Sequence, residues 1–292
     1  MSDTTVKEAL GRASFSLRQA GLEQAGQEAE LLMVHCLQIS RLQLRLIEDQ
    51  FLTTGQLNCF NDMVARRCSG EPFAYLTGER YFYGRSFAVD QRVLIPRPET
   101  ELLVERALAL SNTDSFQQKE KLSIIDLGTG SGVLAITLAL ELPKAEVWAV
   151  DLSAAALSVA RSNAEKHGLA GKIKFAAGNY FAALRSNAPL RFNLILANPP
   201  YITSGELCTL PDDVRNYEPK LALDGGLTGL AGYEAIIREL PHWLASPGAL
   251  LLEIGCEQQQ SVTGLCEAAG LFKTITCYRD LAGLPRVVEA VG

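Results

Sequence analysis

From about residue 120 onward, the chain alternates short apolar runs with segments of helical pattern, and this alternation restricts its fold more than any other feature. The apolar runs are, in order, LSIIDLG, EVWAVD, KIKFAAGNY, FNLILANPPY and GALLLEIG. Such alternation is typical of a doubly wound α/β sheet whose strands are mostly parallel and whose two faces are covered by helices. The final runs, KTITCYRD and RVVEAV, predict an antiparallel pair, which brings the expected sheet to seven strands.

The first 80 residues have a different pattern, which predicts a small bundle of four or five short helices. Thr5 and Glu8 have the spacing of a capping box at the start of the first helix. Between residues 1 and 85 there are nine Lys or Arg and ten Asp or Glu residues. Because this balance is close to neutral, the bundle is a poor phosphate-binding arm. We therefore expect 1–80 to be a helical substrate-docking domain.

A short linker separates the bundle from the predicted sheet. Residues 81–96 place aromatic and β-branched residues around Gly84, which predicts a small hairpin. The catalytic domain is expected to span 97–292. At its start, IPRPETE places Pro98 where the first turn of a helix accepts proline. Two interpretations of this motif remain: a structural linker with a helix cap, or a stiff loop that presents the cation of Arg97 to a pocket.

Composition excludes several classes of protein. The 292 residues include 48% hydrophobic and 21% charged residues, as in an ordinary globular protein, and no apolar run approaches the ~20 residues needed to cross a bilayer. The net charge of −6 argues against a chain that holds nucleic acid mainly by electrostatics. The seven cysteines are scattered without a CxxC motif and the three histidines are isolated, so we expect no metal site and a reducing, cytoplasmic environment. The opening residues have charges of both signs and lack the apolar core of a signal peptide.

A glycine-rich turn follows the first strand of the sheet and opens a helix. It consists of Asp126, Leu127, Gly128, Thr129, Gly130, Ser131 and Gly132. Glycines without a Cβ let a ligand approach the backbone, and we expect free N–H groups of the helix start to face that ligand. Asp151 ends the second strand, where a carboxylate can accept the ribose hydroxyls of a nucleotide-like ligand or cap the next helix. This spacing suits a dinucleotide enzyme as well as an S-adenosylmethionine enzyme.

Polar and aromatic side chains follow the third and fourth strands at the same expected edge. Asn179 and Tyr180 could contact the edge and face of an adenine ring. At the next strand end, Asn198 and Tyr201 flank two prolines, which stop the strand.

The Asn-Pro-Pro-Tyr turn suits chemistry at an amino group. An amide or exocyclic nitrogen is a poor nucleophile because its lone pair is delocalised. If the Asn198 side-chain oxygen and the Pro199 carbonyl each accept one N–H, the lone pair can turn towards a methyl donor. Pro200 stiffens the turn, and Tyr201 would stack on a planar substrate. A hydride-transfer enzyme has no use for this turn, which therefore favours S-adenosylmethionine over a nicotinamide.

These motifs carry a family resemblance that covers essentially the whole chain. DLGTGSG with NPPY resembles the class I amino-methyltransferases. The helical N-terminal part, IPRPETE, NPPY and YEPKLALDGG together are similar to the release factor glutamine N5-methyltransferases. The resemblance implies a Rossmann-like methyltransferase sheet, and methyl transfer to the glutamine in the Gly-Gly-Gln loop of peptide-chain release factors.

The resemblance also implies the site and its ligands. S-adenosylmethionine, which leaves as S-adenosylhomocysteine, would be bound by the glycine turn, Asp151, Asn179–Tyr180 and Asn198, without a metal. The substrate glutamine would be held by Asn198–Tyr201, with Arg97 beside it. The chain departs from the family pattern at two places: Asn179–Tyr180 replaces an acidic-aromatic pair, and Leu227 follows Gly225-Gly226 where the family often has Asp-Gly. We therefore assign no contact to that last loop. The expected partners are release factors, with no membrane, no direct nucleic acid and a monomeric chain.

Three alternatives remain from the sequence. An adenine-N6 or similar nucleic-acid methyltransferase would flip a base into the NPPY pocket, and should carry a basic groove or a target-recognition domain. A nicotinamide-dependent oxidoreductase would leave NPPY unexplained. A non-catalytic binding module would show no methyl transfer at all.

Overall fold

A computed structural model describes residues 3–184 and 190–292 of the chain. These residues form two compact units. One contains the chain up to Glu79 together with the later segment Pro211–Tyr217, and the other contains Arg80–Leu210 and Glu218–Gly292.

The first unit is helical. Its helices are α1 (Val6–Gln19), α2 (Ala25–Leu37), α3 (Arg41–Leu46), α4 (Thr54–Cys68), α5 (Phe73–Thr77) and, from the later segment, α10 (Asp212–Tyr217). The capping box predicted at Thr5 and Glu8 is present, and equivalent boxes start α3 and α4. Each box satisfies N–H groups that a helix start leaves without partners. The core of the unit is built on fully buried Leu17, Leu32 and Phe60.

The second unit is organised around the predicted seven-stranded sheet. Its strands are β3 (Ser123–Leu127), β4 (Glu146–Asp151), β5 (Ile173–Ala177), β6 (Phe192–Ala197), β7 (Leu244–Glu253), β8 (Thr274–Arg279) and β9 (Pro285–Val291). The spatial order is β5-β4-β3-β6-β7-β9-β8. Strands β3 to β7 are parallel to one another, and β9 runs antiparallel to both β7 and β8. The predicted fold class is therefore confirmed.

A separate two-stranded sheet precedes the large one. It consists of β1 (Glu79–Phe82) and β2 (Arg85–Ala88), which are joined by Tyr83 and Gly84. Both joining residues have positive φ angles, 50° and 72°, a conformation that glycine adopts without strain.

Helices cover both faces of the large sheet. They are α6 (Glu101–Ser111), α7 (Asp114–Gln117), α8 (Val133–Glu141), α9 (Ala154–Lys166), α11 (Ala231–Trp243) and α12 (Gln259–Ala269). All six residues of β6 are buried, because alternate side chains enter the two opposite cores. Leu194 and Leu196 pack into one core, whereas Ile195 and Ala197 pack into the other. A strand covered on both faces must be apolar throughout, as the sequence FNLILA indicates.

The strand order positions the functional site. The chain moves outward from β3 to β4 and β5, and then returns to the other side of β3 with β6. Ligands of open α/β sheets bind at such a reversal, beyond the carboxyl ends of the strands. Leu127 at the end of β3 pairs with Val150 on one side and Ala197 on the other. The glycine turn, Asp151 and Asn198 therefore emerge at one edge.

Candidate active site

The glycine turn borders a cavity of about 340 Å³ at this edge. Gly128 and Gly130 line the cavity and have φ angles of 81° and 55°. A Cβ added at either would meet no atom within 4 Å, so it would enter the open space. Gly132 has another reason to be glycine: its Cβ would lie 2.9 Å from Ile136 Cδ1 and 3.1 Å from Ala160 Cβ. Gly132 allows α8 to pack closely against α9 and does not line the cavity.

The N–H groups of the turn bond to the protein itself. The N–H groups of Gly128 and Thr129 both donate to the Val150 carbonyl, at 2.8 and 2.9 Å. Gly130 N–H donates to Asp151 Oδ2 at 2.8 Å, and Gly132 N–H donates to the Thr129 carbonyl at 2.8 Å. The expectation that free N–H groups face a ligand is wrong for these four positions. The turn crosses the end of β4, whose last acceptors take the hydrogens of Gly128, Thr129 and Gly130, and Gly132 bonds within the turn itself.

Asp151 holds this crossing together and faces the cavity. One carboxylate oxygen accepts Gly130 N–H and the other accepts Ser153 N–H, at 2.8 Å each. Ser153, and not Asp151, is the N-cap of α9, because its hydroxyl accepts Ala156 N–H at 3.1 Å. Burial raises the pKa of Asp151, while the bonds from Ser153 and Gly130 oppose that rise. The carboxylate keeps accepting capacity for a ligand hydroxyl.

Asn179 and Tyr180 line the cavity from the end of β5. Tyr180 has a φ of 47°, which is uncommon for a residue with a side chain and is found often at functional sites. Its ring reaches towards α11, where its hydroxyl oxygen lies 2.9 Å from the position of a Cβ on Gly232. Burial raises the Tyr180 pKa to about 12, and the charge of Asp151 adds to the effect. Tyr180 is therefore a neutral phenol at physiological pH.

The Asn-Pro-Pro-Tyr turn contributes a second wall. Asn198 and Pro200 line the cavity, whereas Pro199 is buried and faces Gly232. Tyr201 lies outside the lining. Burial raises the Tyr201 pKa, an effect that the charges of Arg286 and Arg97 oppose.

Gln258 anchors this turn, and the sequence contains no signal for it. Its Nε2 donates to the carbonyls of Tyr201 and Gly229, at 3.0 and 3.1 Å. Its Oε1 accepts from Tyr233 Oη at 3.2 Å and from Gly255 N at 3.0 Å. One side chain thus ties the turn after β6 to α11 and to the end of β7. Within the run Gln258-Gln259-Gln260, only the fold distinguishes this glutamine from its neighbours.

Arg97 does not line the cavity either. Its guanidinium pairs with Glu218 Oε1 at 2.5 Å, and Glu218 Oε2 accepts Ile95 N–H at 3.0 Å. The Glu218 side chain is only 1% exposed. The loop that was expected to offer a cation is therefore joined to the segment that begins at Glu218, and the cation is already paired.

Several cavity residues were not predicted. They come from the loop before IPRPETE, from the segment after Glu218 and from the first turns of α11, and they include Arg92, Val93, Pro219, Leu221, Ala231 and Ala235. The loop to which we assigned no contact is also important, because a Cβ on Gly225 would lie 2.7 Å from the Pro200 carbonyl oxygen. Such a close backbone approach admits only glycine.

The described residues show neither a cluster of metal ligands nor a membrane-spanning helix. In the parts of the chain that the structure describes, no three His, Cys, Asp or Glu side chains form a group that could hold a metal ion. Within the same residues, no helix has both the length and the apolar character needed to cross a membrane.

Known proteins match both parts of the chain. The family model "PrmC N-terminal domain" matches residues 8–78, and the family model "Methyltransferase domain" matches residues 118–274. The release factor glutamine methyltransferase of Cereibacter sphaeroides is 41% identical, over 97% of this chain and 97% of its own length. The protein of the same name from Nitratidesulfovibrio vulgaris is 38% identical, over 99% of this chain and 96% of its own. The chain belongs to the release factor glutamine methyltransferase family.

Solved structures support the fold of this family member. The catalytic domain of human Mettl16, solved with the MAT2A 3′UTR hairpin 1, aligns with a TM-score of 0.52 and 14% identity, over 79% of this chain and 83% of that one. The human methyltransferase 10 domain containing protein aligns with a TM-score of 0.50 and 16% identity, over 79% and 96%. At these identities the likeness concerns the methyltransferase fold alone. The resemblance inferred from IPRPETE, NPPY and YEPKLALDGG is confirmed by the full-length relatives.

Proposed function

We propose that this protein transfers a methyl group from S-adenosylmethionine to the side-chain amide nitrogen, N5, of the glutamine in the Gly-Gly-Gln loop of peptide-chain release factors. One observation carries the proposal: Asn198 lines the same cavity as Gly128, Gly130 and Asp151. An amide that can hold an acceptor –NH₂ group thus lies beside a nucleoside-type site. Family membership supplies the identity of the acceptor protein.

The residues present fit S-adenosylmethionine. Gly128 and Gly130 leave open the space that a Cβ would fill, and Asp151 presents a partly buried carboxylate to that space. In the proposed site, Asp151 holds the ribose hydroxyls, and Asn179 with Tyr180 contacts the adenine. Thr129, Ser131 and Gly132 shape the turn behind the ligand. When bound, the cofactor supplies a methyl group on a positively charged sulfur, which is a strong electrophile.

The remaining chemistry belongs to this chain. Asn198 Oδ1 and the Pro199 carbonyl accept the two N–H groups of the substrate amide, which turns its lone pair towards the methyl group. As the new N–C bond formed, the S–C bond of the cofactor would break with its electron pair left on sulfur, and one amide proton would pass to water. Pro200 confines the amide plane from the cavity wall, Tyr201 supports the turn from outside the lining, and Arg97, already paired with Glu218, also lies outside the lining. Positioning of this kind can lower the barrier by up to roughly 7–11 kcal/mol.

A labelled-methyl transfer assay tests the function. Purified release factor, its Gln→Ala loop variant and RNA are each incubated with the enzyme and labelled S-adenosylmethionine. We expect label on the release factor alone, and none on the loop variant. Label on RNA but not on release factor would show a nucleic-acid methyltransferase and overturn the proposal.

The assignment of Asn198 has its own test. Asn198→Ala should abolish methyl transfer while S-adenosylhomocysteine still binds, since Asp151 and the glycine turn are untouched. Transfer by this variant at the wild-type rate would refute the role of Asn198.

We propose that the helical domain, residues 1–80, docks the release factor, with 81–96 as a linker to the catalytic domain, 97–292. Large apolar side chains are exposed on the helical unit, among them Phe15 (65%) and Leu46 (77%). Changing either to Ser should raise KM for release factor but not for a short peptide with the Gly-Gly-Gln sequence. Leu281→Ser is the matched control, because Leu281 is fully exposed in the second unit. A KM for intact release factor that stays at the wild-type value would contradict the docking role.

We propose that the enzyme is a monomer that acts in the cytoplasm without a metal and without direct contact to nucleic acid. The net charge of −6 supports the lack of direct contact with nucleic acid, and the seven free cysteines support a reducing compartment. Gel filtration tests the monomeric state, and activity after treatment with a chelator tests the independence from metal.

A further inference from the structure

A buried carboxyl group lies directly behind the Asn-Pro-Pro-Tyr turn, and the methyl-transfer chemistry above does not use it. Glu253 is the last residue of β7, and only 1% of it is exposed. Ala197 pairs with Leu252 across β6 and β7, so the next residues of the two strands, Asn198 and Glu253, are neighbours. Glu253 Oε2 has no hydrogen-bond partner among the described residues. A buried carboxyl group with an unpartnered oxygen is costly, so its presence beside the site needs a reason.

Thr100 completes this group of side chains. It lies in the turn Pro98–Thr100 before α6, is 4% exposed, and its Oγ1 accepts from Asn198 Nδ2 at 3.4 Å. The Thr100 hydroxyl and the Asn198 amide also act on the Glu253 carboxyl group, since both lower its pKa. The Asn198 amide therefore has a hydroxyl and a carboxyl group beside it on the protein side.

The number of hydrogens decides which way the Asn198 amide points. An ionised carboxylate can only accept, and a threonine hydroxyl has a single hydrogen to donate. When Thr100 donates that hydrogen to Glu253, its oxygen can only accept from Asn198. Both neighbours of Asn198 are then acceptors, so its –NH₂ must face them and its Oδ1 is left for the cavity. A protonated Glu253 would be a donor itself and would remove this restriction.

We propose that Glu253 is a positioning residue, which acts together with Thr100 to hold the Asn198 amide with its oxygen towards the substrate –NH₂. The reversed amide would present –NH₂ to –NH₂, and two donors form no hydrogen bond. This inference rests on the proposed function, and it adds the requirement that Glu253 be ionised during turnover.

The surroundings of Glu253 bring its pKa close to physiological pH. Burial raises the Glu253 pKa to about 7, and the hydrogen bond from Thr100 opposes that rise. Arg286 on β9 also lowers it, Glu99 in the turn before α6 raises it, and the bond from Asn198 lowers it. The phenols of Tyr201 and Tyr233 also face this carboxyl group, and the pKa of each is raised chiefly by burial. Turnover should therefore rise with pH through about 7.

Conservative variants test the role. Glu253→Gln keeps the shape of the side chain but can donate as well as accept, so kcat should fall by about tenfold to a hundredfold. KM for S-adenosylmethionine and the Kd of S-adenosylhomocysteine should stay within about twofold, because the glycine turn and Asp151 are unchanged. The rise of kcat with pH through about 7 should be absent from this variant. Thr100→Val should lose activity similarly, and Thr100→Ser, which keeps the hydroxyl, should retain it.

The controls separate positioning from folding. Glu289→Gln is the matched control, since Glu289 is also a buried carboxylate, on the neighbouring strand β9, but pairs with Arg106. It should change stability without changing kcat. Glu253→Gln should be at least as resistant to urea as wild type at pH 8, because it removes a buried charge.

Two results would overturn the inference: wild-type kcat and pH profile in Glu253→Gln, or a loss of kcat that is matched by loss of S-adenosylhomocysteine binding and of stability. A different result would refute the proposed function instead, namely a wild-type enzyme that transfers no methyl group to release factor.

Discussion

At the scale of single residues, Asp151 both holds the glycine turn in place and presents its carboxylate to the cavity. Its two oxygens accept the N–H groups of Gly130 and Ser153, which holds the glycine turn against the start of α9. The same carboxylate faces the cavity. The turn is therefore held in place before any ligand binds, and the ligand meets a preorganised charge.

The variant Asp151→Asn separates the structural role of this side chain from its role towards the ligand. The amide oxygen can still accept one N–H, but the charge and one acceptor are lost. We expect the Kd of S-adenosylhomocysteine to rise about tenfold to a hundredfold, as for roughly 1.5–3 kcal/mol of charge-assisted hydrogen bonding. Isothermal titration calorimetry measures this, with the exposed Glu165→Gln of α9 as control. Equal affinities for Asp151→Asn and wild type would exclude Asp151 from ligand binding.

Gly232 is a second position where a single added carbon atom, a Cβ, would disturb the site. A Cβ there would lie 2.8 Å from Pro199 Cβ and 2.9 Å from Tyr180 Oη. Gly232→Ala should therefore lower the free energy of unfolding by about 1–3 kcal/mol through overpacking. It should also reduce kcat, because both displaced residues belong to the site. Urea unfolding and the transfer assay measure the two effects.

The control for Gly232→Ala is Gly264→Ala in α12. A Cβ at Gly264 meets nothing within 4 Å, so this change should stabilise the helix by roughly 0.5–1 kcal/mol. If both variants behaved alike, the contact of Gly232 with Pro199 and Tyr180 would have no consequence.

At the scale of elements, the site is assembled by side chains that connect distant loops. Glu218 joins the loop before α6 to the segment that follows α10, through Ile95 N and Arg97. Gln258 similarly connects the turn after β6 with α11 and the end of β7. Loops have few contacts of their own, so such ties determine the shape of the cavity wall.

Removing Glu218 should loosen that wall. Glu218→Ala leaves the Ile95 N–H without its partner and should cost about 1–3 kcal/mol in the free energy of unfolding. KM for S-adenosylmethionine should also rise, because Pro219 and Leu221 of this segment line the cavity. Asp212→Ala is the comparison, since the exposed Asp212–Arg215 pair should contribute only ~0–1 kcal/mol. A cost for Glu218→Ala no larger than that of Asp212→Ala would contradict this role.

At the scale of the whole molecule, the active edge concentrates buried acidic groups at a cost to stability. Burial raises the Asp126 pKa to about 7, against the bonds from Thr129 Oγ1 and Ala135 N. Asp126 Oδ1 has no partner among the described residues. Glu253, two strands away in the sheet, also has one oxygen without a partner among the described residues and a pKa that burial raises to about 7.

The consequence is a stability that depends on pH. A raised pKa means that the folded protein binds this proton more tightly than the unfolded chain does. The stabilisation that the bound proton of Asp126 provides is therefore complete below the unfolded pKa, near 3.8, and is lost as pH rises towards about 7. It amounts to ~1.4 kcal/mol per unit of pKa difference. Urea unfolding of wild type and Asp126→Asn between pH 4 and 8 should show the variant gaining relative stability as pH rises. If the difference in the free energy of unfolding between the two proteins stayed constant from pH 4 to 8, Asp126 would not titrate in this range.

The sequence by itself determined the fold class, the family and the strand ends from which the candidate site emerges. This follows because parallel strands bring their carboxyl ends to one edge whatever the details of packing, so DLGTGSG, Asp151 and NPPY had to meet there. Only the tertiary structure decided how hydrogens and charges are shared at that edge. It directs the N–H groups of the glycine turn to Val150 and Asp151, pairs Arg97 with Glu218, and places Glu253 behind Asn198. These partners are mostly separated by many residues along the chain, and their contacts arise from packing geometry that no local pattern encodes.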